Sequence, residues 1–126
     1  MKRTWIGLGL LAAILALSLW GADYMGKCHG ASARDLNRSA SLAGEGQWGQ
    51  AEALMRRAEK NWQKKRGVTA AFADHEPMDE AEGLFAQLEV YARERDAAAF
   101  SAAAARLATL LQAIADAHRL NLVNLL

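Results

Sequence analysis

Residues 48–62 read Trp48-Gly49-Gln50-Ala51-Glu52-Ala53-Leu54-Met55-Arg56-Arg57-Ala58-Glu59-Lys60-Asn61-Trp62. Trp48, Ala51, Met55, Ala58 and Trp62 recur at spacings of 3, 4, 3 and 4, the period of one face of an α-helix and not the alternation of a strand. Thr69 and Phe72 prolong the stripe, so the spacing predicts one amphipathic helix over 47–73, with Gly67 as its weak point. Two tryptophans on one stripe read as core anchors, since large rings bury the area that a helical bundle needs.

Downstream, Pro77 biases Glu76 away from the helical region, so the chain is expected to break near 74–76 and restart as a helix over 77–95. Asp79, Glu80 and Glu82 then fall in early turns, where negative charge suits the helix dipole. Its inward stripe is Ala81, Leu84, Leu88 and Tyr91, widened by Phe85. A further helix over 97–118 repeats the pattern with Phe100, Ala103, Leu107, Leu110, Ile114 and Ala117, broadened by Leu111. The tail 119–126 carries Leu120, Leu122, Val123, Leu125 and Leu126; it is too apolar to sit in water and is a candidate interaction surface that folds back, enters a partner or touches a bilayer.

Upstream, Gly44-Glu45-Gly46 supplies the left-handed and flexible positions that end a helix and reverse the chain. Before it, 28–43 is weakly apolar, with Leu36, Ala40 and Ala43 on one face, and offers an outward continuation of what precedes it. What precedes it is residues 5–22, eighteen residues with Ser18 as the one strongly polar side chain. As a helix this run is ~27 Å long, close to the ~30 Å hydrocarbon core of a bilayer, with Trp5 and Trp20 at the two ends where indoles favour headgroups. A cleaved signal peptide is the rival reading, with small residues at Ala16 and Ser18; the apolar run continues past that site, which favours a retained anchor. Lys27 directly before Cys28 argues against a lipid-attachment cysteine. Lys2 and Arg3 precede the span while Asp23 and Lys27 balance after it, so the positive-inside bias puts the N-terminus in the cytoplasm and residues 26–126 outside.

The composition agrees with this picture. Twenty-eight of 126 residues are Ala and one is Pro, which favours packed helices; 15 basic against 14 acidic side chains give a net charge of +1 and imply no nucleic-acid partner. The single Cys28 excludes an internal disulfide and a CxxC pair. The expected fold is therefore all-α, a membrane-anchoring segment over 1–25 followed by a small antiparallel bundle of three to four helices over 26–126.

Three features invite a functional reading. Arg56, Arg57, Lys60, Lys64 and Lys65 form a basic patch that suits anionic lipid headgroups, although the acids of 74–96 offer the same residues partners within an antiparallel hairpin. Cys28-His29, residues 74–76 and His118 carry metal-ligating types, but neither Glu-x-x-His nor His-x-x-x-His spacing occurs. No phosphate loop, nucleophile elbow or recognisable acid–base pair is present, so no enzyme, no catalytic residue and no cofactor are expected.

In order along the chain stand a charged start, a single span, Gln47-Trp48-Gly49-Gln50-Ala51, Trp62, Asp74-His75-Glu76, Asp79 and the ending Asn121-Leu122-Val123-Asn124-Leu125-Leu126. This succession resembles the domain-of-unknown-function family numbered 4363, small membrane-anchored proteins of spore-forming bacteria. It departs from the family pattern at Pro77 and at its last residues, where relatives usually end Asn-Ile-Leu. The resemblance implies a membrane-tethered helical domain and supplies no activity, cofactor or catalytic residue. The expected function is a non-enzymatic interaction or structural module of the cell envelope, partnered by the membrane and by another envelope protein or a second copy of itself. The alternatives are an extracytoplasmic metal- or small-molecule-binding bundle that uses His75 and His118, and an anionic-lipid surface on the basic helix.

Overall fold

The computed structural model describes residues 2–72 and 75–125, the side chains of 22, 25, 71–72, 118–119 and 121–125 excepted. Four helices follow one another: α1 (Lys2–Gly44), α2 (Trp48–Phe72), α3 (His75–Glu94) and α4 (Ala97–Leu125). No strand occurs among the described residues. The helix over 28–43 and the apolar run before it are one element, because α1 is uninterrupted for 43 residues. No proline lies within it, and packing of its second half against α2 and α4 outweighs the ~1 kcal/mol that each interior glycine costs.

Two reversals at the same end of the bundle set the topology. Gly46, at φ 80°, ends α1 in a Schellman arrangement, with Gln47 N–H donating to Leu42 C=O at 2.9 Å and Gly46 N–H to Ala43 C=O at 3.0 Å. The α3–α4 turn repeats the geometry with a non-glycine residue, Arg95 at φ 55°; Asp96 N–H donates to Tyr91 C=O at 3.0 Å. Asp96 then caps α4, its carboxylate accepting from Ala99 N–H at 3.1 Å. The Arg95 side chain lies over the Trp48 ring at 5.3 Å and pairs with Glu52 at 3.1 Å, which ties this turn to the start of α2.

The helices run up and down in a ring in which α1 packs most extensively on α4, then on α2; α3 leans on α4, and the α2–α3 seam is the lightest. Leu36, Met55, Trp62, Leu84, Phe85, Leu88, Phe100, Leu107, Leu111 and Ile114 fill the centre. The α2 and α3 stripes bury as their spacing predicts at Ala51, Met55, Ala58, Trp62, Ala81, Leu84, Phe85 and Leu88, with Met78 and Ala92 added; the Phe72 side chain lies outside those described. The α4 stripe buries as its spacing predicts at Phe100, Ala103, Leu107, Leu111 and Ile114, with Leu110 half-buried. It is wider than expected, with Ala104, Ala108 and Ala115 also buried and Ala117 exposed, because α4 is covered by α1 on one flank and α3 on the other. The rings beside Trp62 are His29 at 5.9 Å and Phe85 at 6.5 Å. Its companion Trp48, half-buried, meets Phe100 edge-on at 5.4 Å.

The contribution of α1 to the core is partly polar. Ser39 is fully buried and donates to Ala51 C=O at 2.6 Å, a bond that contributes about 1 kcal/mol to holding α1 on α2. Ahead of residue 21 the side chains of the same helix are exposed, Trp5 to 75% and Trp20 to 68%.

Candidate functional site

Where α1 leaves the bundle, its polar residues meet the second half of α2. His29 is 1% exposed; its Nε2 lies 3.2 Å from Thr69 Oγ1, and its ring faces Trp62. Cys28, one residue earlier, sits half-buried on the flank, so these two candidate ligands point to different faces of the helix. Among the described residues no three His, Cys, Asp or Glu side chains converge. His75 is exposed at the start of α3, and Asp74 and the His118 side chain lie outside the described residues.

Asn61 stitches the two helices on the outer side of this layer. Its side-chain amide donates to Cys28 C=O at 3.1 Å and to Ser32 Oγ at 2.7 Å. One turn towards the bundle top, Arg57 makes a two-pronged contact with Asp35, Nε to Oδ2 at 2.8 Å and Nη2 to Oδ1 at 2.6 Å. The hydrogen bond from Arg57, and then the charge of Asp35, hold the guanidinium above its ordinary value. One turn towards the exposed half of α1, Lys65 donates to Tyr24 Oη at 3.0 Å with its ammonium 4.4 Å from the ring centre, and that hydrogen bond raises its pKa.

The basic patch is thus distributed. Arg57, Lys60 and Lys64 line an open groove of about 540 Å³ between α1 and α2, joined there by Arg34 of α1. Lys65 turns to Tyr24, and Arg56 lines a separate cleft against α3 with Glu52 and Glu89. Arg34 was missed in the sequence because it belongs to another helix. Only the pairing register brings it in, since Asp35–Arg57 and Ser32–Asn61 align the two helices antiparallel.

The hairpin pairing expected between this helix and the acids of 74–96 reduces, among the described residues, to Arg66 with Glu82. The reason is geometric: α2 packs on α1 more closely than on α3, so its cations look towards α1. In the lightly packed α2–α3 seam two acids meet. Partial burial, and then the charge of Glu89 and a hydrogen bond to it, raise the Glu59 carboxyl above its ordinary value. The ionised form is therefore the disfavoured one in the fold, so stability present below the ordinary carboxyl range is lost as pH climbs through the raised value. Glu59→Gln is expected to raise the thermal midpoint at neutral pH, with the gain shrinking as the pH falls below the carboxyl range; a pH series of melting curves on both proteins checks it.

Of the candidate tail surface, Leu120 is described and is 62% exposed; the side chains of Leu122, Val123 and Leu125, and all of Leu126, lie outside the described residues. No curated protein and no solved structure matches the chain. A family described as a domain of unknown function, DUF4363, matches residues 20–125, which begins where the exposed apolar half of α1 ends and takes in the whole bundle. The chain belongs to the DUF4363 family.

Proposed function

We propose that the protein is a non-enzymatic, membrane-anchored interaction module of the bacterial cell envelope. In this reading the first half of α1 crosses the bilayer, its N-terminus is cytoplasmic, and the bundle stands outside. The observation that carries it is the division of one helix into two solvents. An 18-residue window of α1 has a mean hydropathy of 2.0 and is 0% buried, whereas the second half of the same helix is bundle core. Exposed apolar surface of that extent needs a hydrocarbon environment or a partner. The other helix apolar enough to span, Ala97–Ala117, is 39% buried over its best window and forms a wall of the bundle.

The course of α4 supports a role at the membrane end. It runs antiparallel to α1, with Ser101 Oγ donating to Ala40 C=O and Gly30 facing Gln112, so at equal rise Leu120 lies level with about residue 22 of α1. The leucine-rich end of α4 thereby stands beside the outer end of the span, where a second envelope protein or another copy of the chain is within reach. Replacing Leu122, Val123, Leu125 and Leu126 with Ala is expected to abolish recovery of a crosslinked membrane partner from native membranes while the melting curve stays unchanged. Loss of folding, or undiminished crosslinking, would overturn the tail as the interaction surface. Labelling of Cys28 in intact cells by a membrane-impermeant maleimide tests the orientation.

A further inference from the structure

We propose that the groove between α1 and α2 is an anion site that takes the phosphate of a negatively charged lipid headgroup, held by Arg34, Lys60 and Lys64. Three observations converge on it. First, the charges in the groove are unbalanced: Asp35 is matched by its two-pronged contact with Arg57, which leaves Arg34, Lys60 and Lys64 with no ion-pair partner among the described residues. Second, Lys60 and Lys64 are one helical turn apart on the same face of α2. Such a like-charge pair repels, and the acid that lines the groove, Asp35, is already held by Arg57; a bound anion relieves the repulsion. Third, the groove, though open to solvent, has a fixed wall. Its volume is that of a small-molecule site, and its wall is fixed by Asn61, which donates to Cys28 C=O and to Ser32 Oγ.

The position names the source of the anion. Cys28, at the lower end of the groove, is seven residues beyond Gly21, or about 10 Å along the helix, and the headgroup layer is roughly 5–8 Å thick on each side of the hydrocarbon. Lys64 therefore borders that layer from above, while Lys27 and Lys65 sit lower, against Asp23 and Tyr24. The lipid source rests on the anchored reading above, whereas the anion site itself does not.

The test uses the full chain in non-ionic detergent and its one thiol, Cys28, which lines the groove. Short-chain phosphatidylglycerol, short-chain phosphatidylcholine and glycerol phosphate are added separately, and the rate of Cys28 alkylation by iodoacetamide is measured. At about nine times its Kd, phosphatidylglycerol is expected to slow alkylation about tenfold, since only the unoccupied fraction reacts. Phosphatidylcholine leaves the rate unchanged, and high salt removes the protection. The variant Lys60→Gln/Lys64→Gln loses protection, while Arg38→Gln/Arg93→Gln, with the same change of charge elsewhere on the surface, keeps it. Equal protection by glycerol phosphate supports the site and assigns it to free phosphate instead of lipid. Equal protection by phosphatidylcholine, no protection by either anion, or protection that survives in Lys60→Gln/Lys64→Gln overturns it. None of these readouts requires a bilayer, so a failure of anchoring is seen separately, by extraction of native membranes.

Discussion

Trp62→Ala is expected to cost the bundle about 3–5 kcal/mol, which for a domain of this size removes most of its stability. The indole is 1% exposed and lies where three helices meet: its own α2, α1 through His29 and α3 through Phe85. Its removal leaves a void that the neighbours cannot close, because Leu36, Leu88 and Leu111 are already fully buried on their own stripes. Trp62→Phe separates this volume effect from the polar one. The indole Nε1 has no acceptor among the described residues, so the phenyl ring forfeits area and no hydrogen bond, and its cost is expected to be well below that of alanine. Thermal unfolding followed by circular dichroism in mild detergent measures both; an alanine variant within about 1 kcal/mol of the parent would remove Trp62 from the centre of the core.

Deletion of residues 2–19 is expected to move the protein from the carbonate-resistant membrane fraction to the soluble one and to leave its melting midpoint where it was. The deleted side chains are all exposed, and the stacking of Trp20 on Tyr24 at 6.0 Å, like every core contact, lies beyond them. A truncated chain that still pelleted after carbonate treatment would shift the membrane association to the bundle or its α4 end. One that lost its cooperative transition would make the apolar half of α1 a structural part of the fold.

The repeating spacing of Trp48, Met55 and Trp62, and of Leu84 and Leu88, made α2 and α3 legible because each presents one apolar stripe to one core. α1 was less legible beyond its apolar first half. Its inward face there carries the expected Leu36 and Ala43 but also His29, Ser32 and Ser39, and hydrophobic periodicity does not register a polar side chain that is buried because a partner such as Thr69 or the Ala51 carbonyl satisfies it. α4 presents its expected stripe and more, because two flanking helices cover an arc wider than a single stripe and bury Ala104, Ala108 and Ala115 as well. The basic groove was half legible. Lys60 and Lys64 announce a charged face on one helix, but Arg34, and the Asp35 that neutralises Arg57, are set by the register between two helices, which a linear sequence does not display.

The unbroken course of α1 gives the bundle an angular phase. A helix of 43 residues, about 65 Å from end to end, turns roughly 100° per residue, so the direction in which its second half faces is locked to the rotation of its first half. With no hinge between them, a tilt or twist of the exposed first half is passed on as a tilt or twist of everything packed around residues 26–43. One residue inserted between the two halves leaves the packing intact and swings the groove and the end of α4 to another side of the stalk.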